Sequence, residues 1–219
     1  MSWIITGTQQ YPAVIGEPFG GGYFAGYISH TADGNPTHAL IVAPRATGAT
    51  GTGYPVTTTL KWKTSNTSTS NTTSLYDGAA NTAAIVAAGI SDHPAAQFCV
   101  ELSIGGYSDW YMPARYELDI AYFNLKATTT DNSTFGTDGI NPYSVPRRNS
   151  IYTLSYPAQT FVTAFKTGNS EAFTDLHWTS AELSATQGGG MGFNTGNTFE
   201  DTGGKTNQLN VRAFRRIAL

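Results

Sequence analysis

The stretch that decides the fold reads Gly105-Gly106-Tyr107-Ser108-Asp109-Trp110-Tyr111-Met112-Pro113-Ala114-Arg115-Tyr116-Glu117-Leu118. Its aromatic and apolar residues gather at 109–113, which predicts a short buried strand. Pro113 has no N–H to donate to a sheet, so we expect the strand to stop there and the chain to turn. The apolar residues of 115–126 then recur at helical spacing, which predicts a helix with one apolar stripe.

The flanking sequence predicts three more helices. One spans 79–88, with Asp77 as its N-cap and Gly89 as the stop after its last turn. Another spans 94–102 and carries a proline in its first turn, where proline is tolerated. A fourth helix is predicted over 158–166, directly after a proline.

Strand signals lie towards both ends of the chain. Residues 22–28 and 38–43 are β-rich runs on either side of an Asp-Gly turn signal, which predicts a hairpin. Residues 60–63 alternate apolar and charged side chains, as a half-buried strand does. Alternating stretches over 177–217, separated by Gly/Asn/Thr-rich loops, predict an antiparallel meander. Helices followed by strands indicate the α+β class rather than a doubly wound sheet.

Charge is scarce in this chain of 219 residues. Charged residues make up 12%, about half the usual share, and 12 Lys and Arg against 15 Asp and Glu give a net charge of −3. A broad basic footprint for nucleic acid is therefore excluded. Aromatic residues make up 12%, which argues against a disordered acidic chain. The polar surface must be built mostly from Thr, Ser, Asn and Gln, as in the solvated loop predicted over 64–74.

Signals for covalent cross-links and for membranes are missing from the sequence. Cys99 is the single cysteine and stands among apolar residues, which predicts a buried side chain and excludes an intrachain disulfide and a Cys-based zinc site. The first seven residues lack the basic and apolar regions of a signal peptide. No apolar run approaches the ~20 residues that span a membrane, so we expect no membrane insertion.

Residues 1–21 are predicted to form an N-terminal attachment segment, separate from a domain over 22–219. Prolines at 12 and 18 interrupt regular structure, and the glycines at 20–22 form a flexible joint. We expect such a segment to dock onto another protein. A strand that completes the domain is the alternative that the sequence leaves open.

Five blocks of the chain, taken in order, resemble the Lcl C-terminal-like domain, which recurs at the ends of bacteriophage tail fibre proteins and of bacterial collagen-like adhesins. The blocks are 40–44, 60–63, 105–118, 178–182 and 211–216. The resemblance implies a C-type-lectin-like fold over 22–219, with helices packed on antiparallel β-sheets and long Gly/Asn/Thr-rich loops. It also implies display and binding rather than catalysis, and a homotrimer.

The resemblance places the ligand face on the late strands and their long loops, at 184–202. The candidate ligand-binding residues are Gln187, Asn194, Asn197, Phe199, Glu200 and Asp201. Amides and carboxylates bind sugar hydroxyls, and Phe199 offers an aromatic face for a sugar ring. A polar loop that binds nothing is the alternative. Relatives often carry a tryptophan near the three glycines 188–190, so these either open a pocket or remove an aromatic platform.

The C-terminal arginines have two interpretations. We expect Arg212, with Arg215 or Arg216, to clamp carboxylates of loops or of a helix start through bidentate hydrogen bonds. Arg115 and Glu117 are likewise expected in internal pairs. The alternative is that Arg212 and Arg216 bind an anionic ligand.

We expect no metal, no cofactor and no enzymatic activity. The sugar-binding calcium motifs Glu-Pro-Asn and Trp-Asn-Asp do not occur. The loop acids Asp131, Glu200 and Asp201 are too few for the roughly six to eight oxygens of a calcium site. Sulfatase-activating enzymes of related fold need reactive cysteines, which one apolar cysteine does not provide. A glycosidase needs two carboxylates about 5 to 9.5 Å apart, and the spacing favours no such pair.

The function predicted from these observations is that of a bacteriophage virion protein, made in the host cytoplasm. It forms the tip of a tail fibre or an adhesin that recognises a host surface glycan or protein, and residues 1–21 join it to other tail or head proteins. Two alternatives stay open. One is a structural decoration or head-fibre protein without receptor binding, and the other is a polysaccharide-degrading enzyme.

Overall fold

The computed structural model describes residues 11–199 and 204–219. The strands are β1 (Pro18–Phe19), β2 (Gly22–Ile28), β3 (His38–Val42), β4 (Ala49–Thr50), β5 (Leu60–Lys61), β6 (Ser144–Val145), β7 (Leu176–Glu182), β8 (Gly188–Gly192), β9 (Thr198–Phe199), β10 (Gln208–Leu209), β11 (Val211–Arg212) and β12 (Phe214–Ala218). The helices are α1 (Arg45–Gly48), α2 (Gly78–Gly89), α3 (Pro94–Val100) and α4 (Arg115–Leu125). Helices are combined with curled antiparallel sheets, so the predicted α+β class is confirmed.

The largest sheet is built from both ends of the chain. Its order is β1-β2-β3-β12, with β6 also paired to β2, and every pair is antiparallel. The hairpin predicted over 22–28 and 38–43 is confirmed as β2 and β3. Residues 39–42 of β3 are completely buried, because β3 is paired on both edges and lies between two parts of the hydrophobic core.

The predicted meander is only partly correct. β7, β8 and β9 form a three-stranded antiparallel sheet. Residues 211–217 leave it, because β11 pairs with β4 and β12 pairs with β3, with Phe214 opposite Val42. β3 is apolar and buried, so its second edge needs a strand to satisfy its backbone N–H and C=O groups. β12 supplies those hydrogen bonds and is therefore drawn into the larger sheet.

Three predicted helices are confirmed, namely α2, α3 and α4. Asp77 caps α2, since its carboxylate accepts a 2.8 Å hydrogen bond from the Ala80 N–H. α4 begins two residues after Pro113, as the proline signal predicts. The segment 109–113 before it is buried at positions 110–112, but it forms only a single bridge, in which Tyr111 pairs with Phe214.

The fourth helix, predicted over 158–166, is wrong. A 3-10 turn, Thr163–Phe165, is the one helical element there. The backbone N–H of Thr160 bonds the Lys126 carbonyl at 2.9 Å, and the Thr160 hydroxyl bonds the Asn124 carbonyl at 3.0 Å. The segment therefore satisfies the last carbonyls of α4 instead of its own helical hydrogen bonds.

The core has two adjoining clusters, one on each side of the β2–β3 hairpin. Trp62, Trp110 and Trp178 all lie in the second cluster, and each is buried. Cys99 is buried beside them, and burial raises the pKa of its thiol, so its prediction as a core side chain is confirmed. Among the described residues, no helix is long and apolar enough to cross a membrane.

The loop over 64–74 is largely exposed, as predicted, but two buried lysine side chains donate hydrogen bonds to its backbone carbonyls. Lys63 is buried, and its ammonium group donates to the Ser68 carbonyl at 2.8 Å. Buried Lys205 donates to the Thr67 carbonyl at 2.9 Å and pairs with Glu182 at 2.7 Å. The charged side chain at 63 therefore points inward, where it ties down loop carbonyls.

Residues 11–21 belong to the folded domain. β1 pairs with β2, and Ile15 packs against both core clusters. The Tyr27 hydroxyl donates to the Pro12 carbonyl at 2.5 Å, and the Tyr11 hydroxyl donates to the Ala218 carbonyl at 3.2 Å. In this part of the segment a short strand therefore joins the largest sheet, and the attachment role of 1–21 stays a prediction. Residues 1–10 lie outside the described part of the chain.

Candidate functional site

The C-terminal arginines are tied to carboxylates, as one interpretation predicts. Arg212 is fully buried and pairs with Glu171 at 2.7 Å. Arg215 holds Asp109 through two hydrogen bonds, of 2.7 and 2.9 Å. Because protein carboxylates already occupy these guanidinium groups, the geometry favours the structural interpretation over an anion site.

Arg216 and Glu117 serve the starts of two helices. Arg216 donates at 2.7 Å to Asp77, the N-cap of α2. Glu117 accepts hydrogen bonds from the N–H groups of Ala114 at 2.7 Å and Gly78 at 3.2 Å and from the Tyr111 hydroxyl at 2.7 Å. Its hydrogen-bond partners are therefore two backbone amides and a phenol rather than a cation. Burial raises the pKa of Glu117 to about 7.

Of the six predicted ligand residues, the structure describes the side chains of Gln187, Asn194 and Asn197, and none of these three lines a cavity described below. Gln187 is half-buried in the turn before β8, and Asn194 is exposed. The Asn197 amide donates to the Asp138 carboxylate and to the Ser133 hydroxyl, both at 3.1 Å, so it holds two loops together. Phe199 ends β9, where it pairs with Gly190, while Glu200 and Asp201 lie outside the described residues.

The glycines at 188–190 permit close packing rather than an open pocket. A Cβ on Gly188 would lie 2.8 Å from the indole of Trp62, and one on Gly189 would lie 2.5 Å from the Thr179 hydroxyl. The cavity beside Gly189 and Gly190 holds only about 20 Å³. Gly188 and Gly189 are therefore glycines because the indole of Trp62 and the neighbouring strand leave no room for a side chain.

Within the part of the chain that the structure describes, a larger concave surface lies between α4, residues 14–17 and the segment 144–162. We call it the aromatic groove. Its first lobe holds about 450 Å³ and is lined by α4 and by 144–153. Its second lobe holds about 700 Å³ and is lined by 14–17 and by 156–162. Both volumes lie in the range of small-ligand sites.

The two lobes share three lining residues. They are Tyr156, Phe123 and Asn124, each of which lines both lobes. The rings of Tyr156 and Phe123 meet edge to face, with centroids 5.3 Å apart and planes at 84°. Tyr156 is 60% exposed, and Phe161, on the wall of the second lobe, is 95% exposed. Exposed aromatic side chains gathered at a cavity mark a binding surface more often than a solvated one.

A buried polar hub fixes the loop that carries Tyr156. The Lys126 ammonium donates to the Asn132 side-chain oxygen at 2.7 Å and to the Pro157 carbonyl at 3.2 Å. The Asn132 amide donates in turn to the carbonyls of Thr153 and Pro157, at 2.9 and 3.0 Å. Burial lowers the pKa of Lys126. The bonds preceding Pro146 and Pro157 are cis.

α4 positions the floor of the groove. Asn124 donates at 2.7 Å to the Ala25 carbonyl of β2, which holds the end of the helix against the sheet. Gly26 allows this approach, because it has a φ of 135° and a Cβ there would lie 2.6 Å from the Asn124 amide. Phe123 packs against the Arg148 guanidinium, which lies 4.3 Å from the ring centroid.

The groove carries little uncompensated charge. Arg148 pairs with buried Asp119, which also accepts the Tyr152 hydroxyl at 2.5 Å. Burial lowers the pKa of Arg148. Arg147 is exposed at the rim of the first lobe, and Glu17 in the second lobe accepts backbone N–H groups at 2.7 and 2.9 Å. Within the described residues, Glu17 is the one acid that lines either lobe, so the groove lacks the carboxylate pair of a glycosidase.

Sequence reasoning missed the groove. Its aromatic residues come from one helix and from a loop about thirty residues later. The apolar residues of that loop do not recur at helical or strand spacing. The signal present in the sequence is Tyr152, Tyr156 and Phe161 grouped around prolines in an otherwise polar stretch.

No family model, no curated protein and no solved structure matches the chain. Among the described residues, no group of three or more His, Cys, Asp or Glu side chains is placed to hold a metal ion. The arrangement of the groove suits a ligand that is held by aromatic faces and by amide and hydroxyl groups.

Proposed function

We propose that this protein is a bacteriophage virion component that binds a receptor on the host surface through the aromatic groove. It acts by binding and not by catalysis. The observation that carries the proposal is the groove itself, with Tyr156 and Phe161 exposed above two lobes of ligand size. An aromatic side chain gains most when a partner covers it, so solvent exposure at a cavity favours a partner.

The order of the five resembling blocks supports the virion assignment and a C-type-lectin-like fold. Three of the blocks contain β3, β7 and β12, and another leads into α4. Residues 1–21 are the segment proposed to join other tail or head proteins. A homotrimer is part of the same proposal, and light scattering on the purified protein tests it.

Competition for adsorption tests the receptor-binding function. Purified protein is added to host cells before the phage, and the concentration that halves adsorption is measured. We expect the Tyr156→Ala/Phe161→Ala double variant to require at least about tenfold more protein, because exposed aromatic anchors dominate binding energy. Phe135→Ala removes an aromatic side chain that is 79% exposed and lies outside the groove, so it is the matched control.

Three outcomes decide between the alternatives. Loss of competition in the groove variant alone supports the proposal. Loss in Asn194→Ala instead would move the receptor face to the loop predicted from the sequence. No competition by the unmodified protein, together with its presence in particles, would show the decoration protein without receptor binding.

A further inference from the structure

We propose that the aromatic groove takes a neutral oligosaccharide that crosses Tyr156 and places one sugar ring in each lobe. This inference rests on the proposed receptor-binding function and names the class of receptor. It differs from the site predicted at 184–202, which lies on other loops.

The position of Tyr156 sets the shape of the ligand. The tyrosine borders both lobes, is 60% exposed and meets the Phe123 ring edge to face, so an exposed aromatic ring stands where the two lobes meet. An amphipathic helix needs an uninterrupted apolar groove for its row of anchors. Two compact rings joined by a flexible linkage fit a divided groove better, because each ring can pack against the aromatic side chain from its own lobe.

Uncharged polar groups are placed to meet hydroxyls. Asn149 and Ser150 line the first lobe and are exposed, and their side chains have no hydrogen-bond partner among the described residues. Gln159 lines the second lobe, where its amide N–H₂ is held by the Ala127 carbonyl at 2.7 Å and its oxygen is left as an acceptor. Sugars present apolar ring faces and hydroxyl edges, which match this alternation of aromatic and amide groups.

The charges favour a neutral chain over an acidic one. Asp119 neutralises Arg148, which leaves Arg147 at the rim of the first lobe and Glu17 in the second. An acidic oligosaccharide that spans both lobes would bring one negative group towards Glu17, and like charges at short range disfavour binding. A neutral chain meets no such cost in either lobe.

Calorimetric titration with defined sugars tests the inference. The probes are neutral trisaccharides of glucose, mannose, galactose and rhamnose, their monosaccharides, and a hexuronate trisaccharide. We expect at least one neutral trisaccharide to bind at least about tenfold more tightly than its monosaccharide, because two rings are engaged. We expect the hexuronate to bind more weakly than that trisaccharide.

Two substitutions of Tyr156 distinguish loss of its aromatic ring from a general effect on folding. Tyr156→Ala should weaken the best neutral trisaccharide by about tenfold, and Tyr156→Phe should retain binding because it keeps the aromatic ring. Phe135→Ala should bind as the unmodified protein does. Absence of binding by every neutral trisaccharide, tighter binding of the hexuronate, or unchanged affinity in Tyr156→Ala would each overturn the inference.

Cell treatments distinguish this inference from the function on which it rests. If the protein binds host cells and binding disappears after periodate oxidation of surface sugars, the inference is supported. If binding survives periodate and disappears after protease treatment, receptor binding stands and the sugar assignment fails. If the protein never binds host cells, the proposed function itself fails.

Discussion

Replacement of Glu171 by glutamine should be among the most destabilising conservative changes in this protein. Arg212 is 1% exposed and donates to the Ala43 carbonyl at 2.9 Å, to the Glu171 carbonyl at 2.7 Å and to the Glu171 carboxylate at 2.7 Å. Its guanidinium also lies 4.4 Å from the centroid of Phe173. Glu171→Gln keeps the size of the side chain and one acceptor oxygen, which can still meet Arg212 and the Arg45 N–H. It removes the negative charge that faces Arg212 and replaces the second oxygen by an amide group.

The size of the effect follows from the contact. Two unit charges 2.7 Å apart attract by about 6 kcal/mol at an effective dielectric constant of about 20. The glutamine oxygen retains part of this attraction as a charge–dipole contact. The buried arginine keeps its full desolvation cost, and loss of one partner of a buried pair typically costs about 3–5 kcal/mol. That is a large fraction of the roughly 5–15 kcal/mol that holds a domain folded.

Urea unfolding at pH 7 measures the effect. We expect the free energy of unfolding to fall by about 3–5 kcal/mol in Glu171→Gln, and by less than about 0.5 kcal/mol in Glu101→Gln, where the same change is made on an exposed carboxylate. The double variant Glu171→Met/Arg212→Met should be less destabilised than the sum of its single variants, since no unpaired charge remains buried. A cost below about 1 kcal/mol for Glu171→Gln would refute the reasoning.

Three further predictions concern the N-terminus, pH and the predicted loop. Deletion of 1–21 should lower the melting temperature by several degrees relative to deletion of 1–10, because β1 and its core contacts are lost; circular dichroism measures both variants. Burial lowers the pKa of His177 to about 3, so the neutral ring favours the folded state and its contribution disappears as pH falls from about 6.5 towards 3. In His177→Asn, the slope of unfolding free energy against pH in that window should decrease by up to about 1.4 kcal/mol per unit, and an unchanged slope would contradict this. Asn197→Ala should cost about 1–3 kcal/mol in urea unfolding because it removes two hydrogen bonds between loops, one of them to the Asp138 carboxylate, and Asn194→Ala should cost nothing measurable; equal costs would contradict the assignment.

Sequence signals predicted a helix well where residues directly beside it cap its two ends. Asp77 and Gly89 bracket α2 because the cap and the stop act within one turn of the helix. The same kind of signal failed over 158–166, where a proline start suggested a helix. There the segment donates hydrogen bonds to backbone carbonyls of 124–127 instead. The sequence of 158–166 contains no signal for a partner so distant in the chain.

Long-range pairing set the limits of the site prediction. The arginine clamps were predictable in kind, because a chain with few charges leaves few roles for arginines within strands. The aromatic groove was not, because Phe123 and Tyr156 meet through the fold and belong to no common pattern. The loop at 184–202 offered the residue types of a binding site, yet Asn197 uses its amide to join two loops.

The place of β12 has a consequence for the time course of folding. The Arg212 side chain bonds a carbonyl 169 residues earlier, and β12 directly after it closes the edge of β3. During synthesis, one edge of the apolar strand β3 therefore stays unpaired until almost the whole domain has left the ribosome. Contacts of such long range belong to slow folding, on the order of milliseconds to seconds. A chain that stops before Phe214 keeps that edge open and offers it to the β3 of another unfinished chain, which is a route to aggregation.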